Sequence, residues 1–284
     1  VRMVVMKVRS YLCRACLFLL VSGLPAAQEL MAAKLQPKTL KAWETYIRLT
    51  EQRIMAELDD GERFLMTDFM NDTESQTVRA LLKSGRVYIG KLKTVDEESH
   101  KIKVKAGMIH HWFGAIFVPD VNLESLLRWL QDYDNHYRYF KEVEQSKLLT
   151  REGYTFKIFF RFRLKKIITV FYNTDHTAIY RRHDARRVSS RSFTTKIAQL
   201  DNAGSPAEKE KPVGTDSGYL WRLNSYWRFQ KENGGVLVEC ESISLSRDIP
   251  FGLGWLIKSF VESVPRESLK NTLVSIRADF ARLR

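Results

Sequence analysis

The period of the hydrophobic residues changes along the chain, and each change predicts an element. Over 38–58, Leu40, Trp43, Ile47, Ile54 and Leu58 recur every three or four positions, which predicts an amphipathic helix closed by Asp59-Asp60-Gly61. A less regular helical stretch covers 64–82. From 85 the period falls to two. Segments 85–90 and 100–105 read as paired strands across an acidic turn at 96–98, with Ile102 and Val104 alternating against lysines. Segment 107–118 is a more apolar strand candidate ended by Pro119-Asp120. Asp120 or Asn122 is placed to cap the next helix, whose stripe is Leu123, Leu126, Leu127 and Leu130.

The clearest strand is 154–163, in which Tyr154, Phe156, Ile158, Phe160 and Phe162 face one way and Lys157, Arg161 and Arg163 the other. Segment 167–172 is its expected hairpin partner, and 177–180 and 189–200 are further strand candidates. Residues 201–218 have no apolar pattern and hold three Gly and two Pro, so they read as a loop inside the domain and not as a boundary. Strands 220–229 and 236–245 flank a Gly-Gly turn, a hairpin signal. The period then returns to helical. Leu253, Leu256, Ile257, Phe260, Val261 and Val264 form an apolar band that Leu269, Leu273, Ile276 and Phe280 continue beyond Pro265. Proline removes a helical N–H and clashes with the preceding turn, so a kink or restart is expected there. The long ridge needs a large covering surface, for which a curved antiparallel sheet is the natural partner.

Composition adds an N-terminal distinction. Arg2, Lys7, Arg9 and Arg14 precede an apolar run over 16–24 that ends in Pro25, Ala26 and Ala27, with no acidic residue among them. This is the pattern of a secretory signal peptide over 1–27, or of a membrane anchor if it is retained. Export to a periplasmic or extracellular compartment is the expectation. Removing the four basic residues lowers the formal charge from +13 to +9 and leaves Cys240 as the one remaining cysteine, so no intramolecular disulfide is expected. The remaining chain is long enough to bury a core without one. Its basic balance is compatible with peripheral contact with an anionic membrane. Nucleic acid is the weaker partner, because in 154–163 the aromatic and basic residues lie on opposite faces where a stacking platform needs them together.

The order of strands, inner helix, long antiparallel series and closing amphipathic helix resembles the START-like or helix-grip superfamily. The segment that carries the resemblance is YLWRLNSYWRFQKENGGVLVECESISLSRDIPFGLGWLIKSFVESVPRESLKNTL, residues 219–273, which resembles the last two strands and C-terminal helix of exported bacterial members. The resemblance implies an α+β fold in which a curved antiparallel sheet wraps a long C-terminal helix, with 107–284 as the helix-grip core and an additional N-terminal helix within 38–106. It further implies an apolar cavity between sheet and helix. Within that superfamily, functions range over lipid transport, ligand sensing and ring-closing chemistry, and no invariant functional residue carries over onto this sequence.

The last two strands hold the main polar constellation. Arg222, Asn224, Tyr226 and Arg228 share one face, and Glu239 and Glu241 lie on the face opposite Val236, Val238 and Cys240. Two readings stand: cross-strand Arg–Glu pairs that only support the sheet, or a cavity wall whose arginines receive a carboxylate, phosphate or sulfate head group. Alternation alone does not say which face points inward. His110 and His111 are adjacent and so project to opposite faces of a strand, a poor geometry for a shared metal. His176 beside Asp175 is a further acid–base candidate. No pattern calls for a metal or cofactor, and neither a nucleophile elbow nor a phosphate-binding glycine loop is present. The leading expectation is binding or transfer of an apolar or amphipathic small molecule, an anionic one included. The alternatives are a cyclase-, aromatase- or hydrolase-type enzyme that uses Tyr226, Arg222, Arg228 and one of His110 or His111, and an envelope-associated structural or interaction protein.

Overall fold

A computed structural model describes residues 34–166, 168–212, 215–248 and 254–282. The elements are α1 (Pro37–Leu58), a 3-10 turn (Met66–Phe69), α2 (Asp72–Lys83), β1 (Tyr88–Lys91), β2 (Met108–Pro119), α3 (Leu123–Leu130), a 3-10 turn (Tyr133–Asn135), α4 (His136–Tyr139), β3 (Val143–Glu152), β4 (Thr155–Lys165), β5 (Thr169–Arg182), β6 (Arg187–Asp201), β7 (Lys209–Glu210), β8 (Arg222–Glu232), β9 (Gly235–Ser246) and α5 (Gly254–Arg282). All strand pairs are antiparallel, in the order β1-β2-β9-β8-β6-β5-β4-β3, with β7 folded back on β6. The curved sheet grips α5, which makes this a helix-grip fold of the α+β class with an extra N-terminal helix.

Both faces of the sheet are covered. On the inner face Leu269, Leu273 and Ile276 of α5 pack with Leu126 of α3 against Ile116, Val118, Phe229 and Val238. On the outer face Trp43, Tyr46, Ile47 and Ile54 of α1 pack on Tyr226, Ile243 and Leu245, while Phe64, Leu65, Val78 and Leu82 cover Phe113, Ala115 and Leu237. The central strand β9 is therefore buried along nearly its whole length, in both phases of its alternation. Its glutamates do not mark a solvent side.

Local chemistry sets the ends of the helices. Pro37 opens α1, where its missing N–H costs nothing. Asn71 accepts from Glu74 N (3.0 Å) and Asn122 from Ser125 N (2.8 Å), each as an N-cap. One glycine sets how closely the helix approaches the sheet. A Cβ on Gly114 of β2 would lie 2.5 Å from Leu273 Cδ1 and 3.2 Å from Leu269 Cδ2, so the bare backbone lets α5 seat on the strand.

The structure departs from the sequence expectations in several places. Segments 85–90 and 100–105 do not pair with each other: β1 pairs with β2, from Tyr88↔Ala115 to Lys91↔Trp112, and 100–105 makes only an isolated bridge, Val95↔Lys101. The alternation of Ile102 and Val104 arises because both pack against the α1 cluster, with Thr39 donating to Lys105 O at 2.6 Å. Strand β3 carries no apolar alternation because it is an exposed edge, and only its pairing with β4 defines it. Residues 169–172 of the expected 167–172 strand and the 177–180 segment belong to one strand, β5. Pro265 lies inside α5, which is continuous through it and does not restart. The end of the 201–218 loop is anchored by Asp216, buried and accepting from Trp221 Nε1 at 3.0 Å. The side chains of Leu253, Leu256, Ile257, Phe260 and Val261, and the leader over 1–27, lie outside the described residues.

Candidate functional site

Between the inner face and α5 lies a cavity of about 260 Å³. Its walls come from the inward phase of the strands: Ile158, Phe160 and Phe162 on β4, Leu223, Trp227 and Phe229 on β8. Val264, Pro265 and Leu269 of α5 close one side, and Tyr133, His136 and Phe140 another. Of the face-sharing set expected on 154–163, Ile158, Phe160 and Phe162 build the wall, Phe156 is buried in the adjoining core, and Tyr154, just before the strand, is 65% exposed.

The polar groups in this wall are hydroxyls and imidazoles, uncharged apart from Glu142, which accepts from Asn271 Nδ2 at 2.6 Å. Ser192, Ser225 and Ser242 lie directly opposite one another across β6, β8 and β9, forming a hydroxyl row over the sheet. The Tyr133 and Tyr180 hydroxyls are 3.0 Å apart, and burial pushes Tyr180 up to about 12. His136 stacks on Phe160 at 5.7 Å and His176 meets the same ring edge-on at 5.2 Å. Burial holds both imidazoles neutral, pushing His136 down to about 4 and His176 to about 3. Asp175, the neighbour of His176 in sequence, is absent from this wall, since consecutive strand residues alternate faces.

The polar residues expected from sequence lie elsewhere. Arg222, Asn224, Tyr226, Arg228, Glu239, Glu241 and His111 are in the phase of their strands that faces α1 and the 64–70 segment, away from the cavity. There the structure joins four of them. Arg228 is opposite Glu239 in register, pairs with Glu57 of α1, lies 3.7 Å from Glu241 and donates to Phe64 O at 2.9 Å. Glu241 also pairs with Arg53, and His111 bridges Glu241 Oε2 (3.1 Å) and Tyr46 Oη (3.0 Å). Glu239 accepts from Met66 N (2.6 Å) and from the Thr67 hydroxyl (2.7 Å). Burial pushes Glu239 up to about 7, against the pull of Thr67, Arg228 and the two amides. Burial acts on Glu241 too, but His111 and the Arg53 and Arg228 charges outweigh it and hold it at about 2.

Asn224 and Tyr226 form a chain to Glu51 of α1 (3.1 and 2.7 Å), while Arg222 reaches back to Trp221 O at 2.7 Å. His110 points to the inner side, meeting Ser246 Oγ at 2.9 Å, and is not part of the cavity wall. A recess of about 220 Å³ opens beside the charged cluster, lined in part by Arg53, Glu57, Lys93 and His111. Tyr226, Arg222, Arg228, His110 and His111 do not converge on the cavity, and a mechanism that needs them around one ligand has no site there. The residues missed from sequence are His136, Tyr133, Tyr180 and the serine row. The available signal was Ser225, a hydroxyl in the apolar phase between Leu223 and Trp227.

No family model matches the chain, and no curated protein does. Solved structures do. A STAR-related lipid transfer protein fragment from Xanthomonas axonopodis is 14% identical, with 68% of this chain and 98% of that chain covered and a TM-score of 0.44. Human STARD10 is 11% identical, with 78% and 86% covered and a TM-score of 0.44. The Zhui aromatase/cyclase of a Streptomyces species is 10% identical, with 62% and 97% covered and a TM-score of 0.42. These are likenesses of fold, and the helix-grip assignment stands on the strand order and the gripped C-terminal helix described above.

Proposed function

We propose that this protein binds an apolar small molecule in the cavity between the sheet and α5. The observation that carries this reading is the contrast within one core. At Gly114 helix and strand pack with no room for a methyl group, yet from the neighbouring strand β9 onward the same two layers part around about 260 Å³ walled largely by aromatic and aliphatic side chains. Native cores are close-packed, and voids larger than a water molecule are few. An apolar concavity with a handful of placed polar groups is the usual form of a small-molecule site. The export expected from residues 1–27 belongs to the same proposal; N-terminal sequencing of the protein recovered from a periplasmic or culture fraction tests it, with a start after Ala27 expected.

Native mass spectrometry of protein purified without detergent, paired with organic extraction, tests the binding reading. The expected result is a bound species lost on denaturation and recovered in the extract as an apolar compound. Protein that stays empty after incubation with a total lipid and metabolite extract contradicts it.

A further inference from the structure

The hydrogen bonds around the cavity fix what its two imidazoles offer a ligand. His136 Nε2 faces the Leu130 carbonyl at 2.9 Å, which only accepts, so Nε2 carries the proton and Nδ1 carries a lone pair. The Thr174 hydroxyl donates to Phe160 O (3.2 Å), so toward His176 Nε2 (3.0 Å) it accepts, and His176 likewise keeps its proton on Nε2. Neither Nδ1 has a hydrogen-bond partner among the described residues. Both rings line the cavity, His136 stacked on Phe160 and His176 edge-on to it. His176 also adjoins the serine row, since its strand neighbour Ala178 lies opposite Ser192.

The charge of the wall points the same way. Among the described lining residues no lysine or arginine is present, and the one charged side chain, Glu142, is an acid. A carboxylate or phosphate placed here meets neutral hydroxyls, two neutral imidazoles and a like charge, with no lysine or arginine among the described lining residues to offset its own. Burying an anion without a countercharge is costly, whereas a neutral donor satisfies an acceptor that is otherwise unpaired. The arginines that suit an anion are committed to carboxylates on the opposite face.

We propose that the cavity selects an uncharged apolar molecule bearing a hydrogen-bond donor, a phenol or alcohol hydroxyl, which it gives to Nδ1 of His176. This rests on the cavity reading above and narrows it: anionic ligands are disfavoured and donor-bearing neutral ones preferred.

Three probes of one shape separate the outcomes: 2-naphthol, 2-methoxynaphthalene and 2-naphthoate, titrated by calorimetry into the full chain at neutral pH. The expected order is naphthol tightest, methoxynaphthalene about tenfold weaker for the lost hydrogen bond, and naphthoate weakest. His176→Leu is expected to abolish the preference for naphthol over methoxynaphthalene, and retained binding of either probe also reports that the variant folds. Should that variant not fold, the wild-type Nδ1 resonance of His176 in nitrogen NMR supplies the readout: it shifts on adding naphthol and not on adding methoxynaphthalene. Equal affinities for naphthol and methoxynaphthalene, tightest binding of naphthoate, or an unmoved Nδ1 resonance overturns this inference and leaves the cavity reading standing. Failure of all three probes to bind overturns both.

Discussion

At the scale of single residues, the outer-face cluster behaves as a buried ionic network that fastens α1 to the sheet. Arg228, Glu241 and His111 are each no more than 3% exposed, and each is paired. Removing one partner leaves the others charged in a dry site, which costs more than the pair itself contributes. Arg228→Ala, which removes the fully buried one of the two arginines that Glu57 and Glu241 share, is expected to lose about 3–5 kcal/mol in urea unfolding. Glu239→Gln is expected to lose under about 1.5 kcal/mol, because an amide oxygen still accepts from Met66 N and the carboxyl is already raised to about 7. Equal losses in the two variants contradict this division. Sequence alternation identified these residues as one polar face, and it named cross-strand Arg–Glu pairing as one reading of them. Their covering by α1 was not legible, because the contacts that bury Glu241 come from Arg53, 188 positions away. The cavity's imidazoles were less legible still, since a lone histidine carries no periodic signal.

At the scale of elements, α5 seats closely on β2 and parts from β8 and β9. The Gly114 contact predicts that Gly114→Val, whose Cβ would sit 2.5 Å from Leu273 Cδ1 and 2.9 Å from Ile89 Cδ1, costs about 1–3 kcal/mol through overpacking. Leu273→Ala, at a fully buried position, is expected to cost about 2–5 kcal/mol by opening a cavity. Denaturant unfolding of both variants checks the pair, and wild-type midpoints would mean that the helix does not seat there. Most elements were readable because their apolar residues repeat at a period that matches one buried face, as in 154–163. The readings failed where that rule failed. Strand β3 is too exposed to show a period, and 100–105 shows a period of two because α1 covers it, without a ladder partner.

For the whole molecule, the buried titratable groups set a dependence of stability on pH. His110, His136 and His176 have folded values of about 4, 4 and 3, all below the unfolded 6.5, so the stability they allow is present above 6.5 and lost as pH falls toward those values. Glu239 runs the other way: its folded value of about 7 lies above the unfolded 4.5, so it lowers stability as pH rises between them. Between these opposing effects, unfolding near pH 5.5 is expected to take up about two protons, a slope of about 2–3 kcal/mol per unit of pH. Urea midpoints between pH 7 and 5 check this; a midpoint that stays level or rises on acidification contradicts the burial of the three imidazoles.

The same three-layer arrangement, two helical covers on a curved sheet, leaves a large apolar opening under α5, and that opening is where a ligand is expected. Ser225 stands at the centre of the hydroxyl row on the cavity wall. A phenylalanine there occupies the space without touching the outer-face network. Native mass spectrometry of the wild-type protein and Ser225→Phe, each exposed to the same apolar extract, is the most direct measurement. The account predicts a bound small molecule on the wild type and none on the variant, at a Tm within a few degrees of the wild type. An equal load on both proteins, or an empty wild type, contradicts it.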